Sequence, residues 1–231
     1  MILQRSEFKF LDRGFEETLV CLPGWAADYR LFSWLDLKYN YLFAMRLSPF
    51  EFSKHLADYL HKISEDKISL LGYSLGGFLA ADFAKNYSEM VGELILLSIR
   101  KGYDGKVIKE IKEKLIKNQR GYLYRFYLDC FSKDDAQGLG WFKQHLLKDY
   151  LKEMRLEDLM AGLDYLEIAR INPQSLRPIN KISIFHGEDD RIAPLEEARS
   201  IKSELARAKF IALPKLGHLC FLNRRLEENI V

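Results

Sequence analysis

Three short stretches of the chain carry residue types able to do chemistry together. In "LLGYSLGGFL" (residues 70–79), Gly72, Ser74 and Gly76 alternate directly after an apolar run. G-x-S-x-G is weak evidence alone, because three fixed positions match by chance in about one such chain in a dozen. Its context adds weight: a strand pattern precedes it and a helix pattern follows. A serine on a sharp strand-to-helix turn is presented above a sheet, with the helix N-terminus supplying N–H groups and partial positive charge to a developing oxyanion. A serine hydroxyl is a poor nucleophile without a base, so a histidine and an orienting carboxylate are needed.

Five histidines compete for the role of base. His55 and His61 lie on an amphipathic helix pattern and read as surface or boundary residues. His145 reads as structural, and His186, before Gly187 at a strand end, is expected to pack its loop. His218, in "LPKLGHLCFL", follows the last strand in a short glycine-containing loop and is the candidate base. For the acid, "FHGEDDRIAP" (185–194) follows the second-last strand, so its carboxylates reach the carboxyl edge of a parallel sheet, where ligands bind. Asp189 and Asp190 compete there, and a solvated acidic turn is the bland reading. The order Ser74, Asp190, His218 matches a known order for such triads. "LPGWAAD", after the first clear strand, supplies a second oxyanion donor: the backbone N–H groups of Trp25 and Leu75 form the expected pair.

The elements that must position these residues are legible. Strand patterns fall at 17–25, 39–47, 67–73, 93–99, 181–187 and 209–215, with a reduced N-terminal strand at 7–12. Helix patterns fall at 48–63, 75–87 and 194–206. The first of these carries Ser48 as N-cap, Pro49 as first helical residue and Glu51 completing a capping box. Alternation of strand and helix predicts an α/β fold with a mostly parallel central sheet and helices on both faces. Between residues 100 and 177 four helix patterns replace it, and such an insertion can form a lid. The core is expected at 1–99 and 178–231, with the lid at 100–177.

Composition bounds the partners. The 231 residues are 48% hydrophobic and 29% charged, as in ordinary soluble domains, and net charge +2 offers no field that points to nucleic acid. No run reaches the ~18 apolar residues of a membrane span, and the first residues lack a signal-peptide core. Cys21, Cys130 and Cys220 have no disulfide or metal-type spacing, so reduced thiols in the cytoplasm are expected, with no metal and no cofactor. The net charge conceals an asymmetry. From Arg100 to Arg125 nine Lys/Arg stand against three Asp/Glu, a local charge of +6.

Over essentially its whole length the sequence resembles the α/β-hydrolase superfamily, through "LPGWAAD", "GYSLGG", "HGEDDRIAP" and "LPKLGHLCFL". The family's G-x-x-D-x-[IV]-x-P pattern corresponds to Gly187, Asp190, Ile192 and Pro194, and implies Asp190 rather than Asp189 as the acid. Gly24-Trp25 and the four-helix lid look like the BioH-type esterases of biotin synthesis, which remove the methyl ester from pimeloyl-acyl carrier protein. This chain is shorter before its first strand. The resemblance implies a serine carboxylesterase with an acyl ester substrate and an acidic acyl carrier protein as partner. Such a partner would be steered by the basic lid, with Arg120 and Arg125 as first contacts. A thioesterase or a menaquinone-pathway-type lyase on the same triad, and a hydrolase-like ligand receptor, are the alternatives.

Overall fold

The fully apolar runs become the inner strands. The computed structural model describes residues 6–222; the reading of the first residues therefore rests partly on positions outside that range. Seven strands form one sheet: β1 (Glu7–Leu11), β2 (Thr18–Leu22), β3 (Asn40–Arg46), β4 (Ile68–Tyr73), β5 (Val91–Leu97), β6 (Lys181–Gly187) and β7 (Lys209–Leu213). Their order is β1-β3-β2-β4-β5-β6-β7. Every pairing is parallel except β1 with β3. Strands β2 and β4 are buried at every residue, as parallel strands covered on both faces must be. The edge strand β1 is mostly exposed.

Helix α1 (Phe52–Lys62) buries Phe52, Leu56, Ala57 and Leu60 on one stripe. Its start differs from the expected capping box. A 3₁₀ turn over Pro49–Glu51 precedes it, and the Ser48 side chain makes no capping bond. The Ser48 N–H is taken by the Ser6 hydroxyl at 3.0 Å, so Glu51 has no donor to reach back to. Helix α2 (Leu75–Asn86) is buried nearly all round and packs on β2, β4 and β5.

Between β5 and β6 the chain leaves the sheet and forms α3 (Gly105–Asp129), α4 (Ala136–His145), α5 (Leu147–Glu153) and α6 (Leu156–Ile168). The α3 path is broken at Asn118, whose backbone is non-helical and whose Oδ1 accepts the Gly121 N–H at 2.9 Å. Helix α7 (Leu195–Glu204) returns the chain from β6 to β7.

From β2 the chain steps to β3 on one side, and from β3 it crosses over to β4 on the other side of β2, then continues outward to β5. Such a switch point leaves a crevice at the carboxyl ends of β2 and β4, where ligands bind in open α/β sheets. The loops there are the ones that carry Trp25 and Ser74.

Candidate active site

Ser74 stands between the end of β4 and the start of α2 with φ +52° and ψ −113°. That backbone region is strained for any residue with a side chain. The Ser74 N–H donates to Leu97 O (3.0 Å) and Gly77 N–H to Ser74 O (2.9 Å), which hold the turn. The turn is possible because α2 approaches the β2 loop closely. A Cβ on Gly76 would stand 2.1 Å from the Leu22 carbonyl oxygen and 2.7 Å from that of Pro23.

The candidate triad meets at the carboxyl edge of the sheet. His218 Nε2 lies 2.9 Å from Ser74 Oγ, and its Nδ1 lies 2.7 Å from Asp190 Oδ2. The carboxylate therefore accepts the Nδ1 proton and leaves Nε2 free to accept from the serine hydroxyl. Ser74 is 8% exposed and His218 1%, so the relay is nearly dry. Asp190 Oδ1 accepts the N–H groups of Ile192 (2.8 Å) and Ala193 (2.9 Å). Asp189, its competitor, is exposed and contributes only its N–H, to Leu216 O. The His218 backbone is fixed in turn by Ser98, whose hydroxyl donates to its carbonyl at 2.6 Å.

Trp25 and Leu75 line one cleft of about 310 Å³ that opens beside the serine, between the β2 and β3 loops and the start of α6. A larger cavity of about 350 Å³, around Arg177 to Ala208, lies at the other end of β6 and touches no triad residue. Arg120 and Arg125 are both exposed on the second half of α3 and are not brought into the site; Arg125 Nε is 4.0 Å from Asp129.

Two further residues reach the site. His186, fully buried, donates from Nε2 to Ala193 O (2.7 Å) and lies 3.3 Å from Asp190 Oδ2. Burial holds it below the ordinary histidine range, so it stays neutral beside the acid. Its place before Gly187 was the available signal. Tyr103 follows β5, and its phenol lies within electrostatic reach of Ser74 and Asp190; burial pushes it up to about 12, so it stays protonated. Nothing in the sequence pattern marks it. His55 and His61 lie on α1 and His145 ends α4, away from the triad. Among the described residues no group of three or more His, Cys, Asp or Glu is arranged to hold a metal ion. None of the helices described is long and apolar enough to cross a membrane.

A mostly parallel seven-stranded sheet with helices on both sides and a serine on the β4–α2 turn is the α/β-hydrolase fold. The chain is similar to the pimeloyl-[acyl-carrier protein] methyl ester esterase of Nitrosomonas europaea, with 26% identity over 68% of this chain and 66% of that protein, just under two thirds of its length. It is also 26% identical to a 2-hydroxy-6-oxononadienedioate/2-hydroxy-6-oxononatrienedioate hydrolase of Paraburkholderia phymatum, over 93% of this chain and 74% of that one. An esterase from Exiguobacterium antarcticum shares the fold, with a TM-score of 0.80 at 18% identity, covering 96% of this chain and 92% of that one. No protein-family model matches the chain.

Proposed function

We propose that the chain is a serine carboxylesterase. The carrying observation is the dry relay from Ser74 Oγ through His218 to Asp190, with contacts of 2.9 and 2.7 Å. Ser74 Oγ attacks the ester carbonyl while His218 Nε2 takes its proton. The backbone N–H groups of Trp25 and Leu75 receive the oxyanion. His218 then gives the proton to the leaving alcohol, and the C–O bond breaks to leave an acyl-enzyme. Water, activated by the same histidine, releases the acid. Asp190 orients the imidazole throughout.

The helical insertion serves as the lid, and its charge favours a carrier-linked substrate. Similarity to the Nitrosomonas esterase supports a pimeloyl-acyl carrier protein methyl ester. Arg120 and Arg125 stand exposed where an acidic carrier would dock. Three buried thiols with no disulfide suit a reducing cytoplasm. A second reading, hydrolysis of an oxo-dienoate, draws on the Paraburkholderia match, which spans more of the chain.

The test is a fluorophosphonate probe, p-nitrophenyl butyrate, and the Ser74→Ala variant. The probe should label Ser74 alone, and the variant should lose on the order of 10⁴-fold in ester turnover. Retention within tenfold sinks the assignment. Rescue of a biotin-auxotrophic, esterase-deficient bacterium separates the carrier-linked ester from the oxo-dienoate.

A further inference from the structure

The aromatic run "GYLYRFY" of α3 has a use that the triad does not account for. Its residues hold the loop that carries Trp25. Ala26 has φ +58°, in the left-handed region that disfavours a residue bearing a Cβ. Its carbonyl accepts the Tyr127 hydroxyl at 2.8 Å, and Tyr127 is 2% exposed. One residue earlier, the Trp25 indole N–H donates to Leu159 O of α6 at 2.9 Å. The indole also meets Phe126 edge-on at 4.9 Å. It lies so close to α6 that a Cβ on Gly162 would stand 2.8 Å from its Cδ1.

Upstream, Gly24 is pressed against the site: a Cβ there would stand 3.2 Å from that of Ser74. The peptide that presents the Trp25 N–H is therefore bounded by the nucleophile on one side and by insertion helices on the other.

We infer that Tyr127 is a positioning residue: its hydroxyl holds Ala26 left-handed and so keeps the Trp25 N–H aimed at the developing oxyanion. The inference rests on the esterase reading and on Trp25 as a donor. Its consequence is that the helical insertion sets the rate of the chemical step as well as access to it. The residue touches no substrate, so its loss should appear in kcat and leave KM alone.

The experiment is Tyr127→Phe, measured on p-nitrophenyl butyrate. Removing the hydroxyl leaves a buried carbonyl without its donor, and kcat should fall about tenfold with KM within about twofold. A trifluoromethyl ketone, which mimics the oxyanion adduct, should lose affinity in parallel. Adding Ala26→Gly should restore at least about threefold of the lost kcat, because glycine adopts positive φ without strain. A purely structural role for Tyr127 predicts no such rescue. Normal kcat in folded Tyr127→Phe, or a loss shared by KM, or a loss that Ala26→Gly leaves untouched, overturns the inference. If Tyr127→Phe does not fold, Trp25→Phe removes the companion anchor and should lower kcat; because the indole also lines the cleft, only kcat is read there, and normal kcat overturns the inference equally. Ser74→Ala keeps the two readings apart: if it abolishes turnover while Tyr127→Phe leaves kcat unchanged, only the positioning role fails.

Discussion

Replacing Asp190 by asparagine should silence the proposed esterase while leaving its shape intact. Asp190 Oδ1 accepts two backbone N–H groups, from Ile192 at 2.8 Å and Ala193 at 2.9 Å. An asparagine there must turn its carbonyl oxygen to those donors, which puts its NH₂ where Oδ2 now lies. That position is 2.7 Å from His218 Nδ1. Two donors cannot face each other, so Nδ1 must become an acceptor and the ring proton must move to Nε2. Nε2 is 2.9 Å from Ser74 Oγ and would then donate to the serine instead of deprotonating it. Loss of the base through the wrong tautomer costs about 10⁴ in kcat, equivalent to about 5.4 kcal/mol of barrier. The assay is p-nitrophenyl butyrate turnover, with circular dichroism to verify the fold. Asp189→Asn is the control, because Asp189 is exposed, and it should stay within about twofold. Asp190→Asn within tenfold of the parent, or an equal loss in Asp189→Asn, would refute the tautomer argument.

Further outcomes are expected. Gly76→Ala should give little folded protein, since its Cβ would stand 2.1 Å from the Leu22 oxygen; a normal urea midpoint would contradict the tight elbow. Burial lowers the His186 pKa below its unfolded value of 6.5, so the unfolded chain binds the extra proton first. The stability tied to this group is thus intact above about pH 6.5 and is lost as pH falls toward the folded value. Urea midpoints at pH 7.5, 6 and 5 should decline less in His186→Gln than in the parent, and parallel declines would remove His186 from the account. Turnover of a carrier-linked ester should fall with added salt as the Debye length shrinks to ~8 Å near physiological ionic strength, while p-nitrophenyl butyrate barely responds. Arg120→Glu with Arg125→Glu should weaken only the carrier-linked reaction, and equal effects on both substrates would remove the carrier protein from the proposal.

The candidate triad could be proposed from the sequence because its spacings refer to the backbone. G-x-S-x-G and G-x-x-D each fix a side chain within one turn, and the sheet brings the turns together. The buried strands were readable for a similar reason: a run such as that of β2 admits no other solution once both faces are covered. What the sequence hid is long-range. The Ser48 cap was pre-empted by Ser6, 42 positions away. The Trp25 indole meets a carbonyl 134 positions away, and no local pattern announces that contact. His186 was hidden differently: its partner Asp190 is four residues distant, but only the folded loop turns one toward the other. The break inside α3 falls at Asn118, where that asparagine's side chain caps the second half through the Gly121 N–H, so two helices meet there at a kink.

The insertion leaves and rejoins the sheet at neighbouring strands, and its two ends are tied before any helix begins. Gly102 and Arg170 form an antiparallel bridge, and Ile171 N–H donates to Lys101 O at 2.9 Å. Arg100 and Lys101 anchor the same point to α7 through Glu197 and Glu204, at 2.7 Å each. A tied neck makes the length of what hangs from it cheap, since each doubling of a closed loop costs only about 0.6 kcal/mol. The segment from 105 to 168 nevertheless reaches back to the site: Cys130 O accepts the Leu219 N–H at 3.1 Å and the Ser132 hydroxyl donates to Lys215 O, which holds the loop that carries His218. The loop from Trp25 to Asp28 is gripped from the same segment by Tyr127, Tyr150 and Leu159. A change of helix length at an exposed turn of the segment is therefore tolerated, whereas a change at these grips is felt at Trp25 and His218.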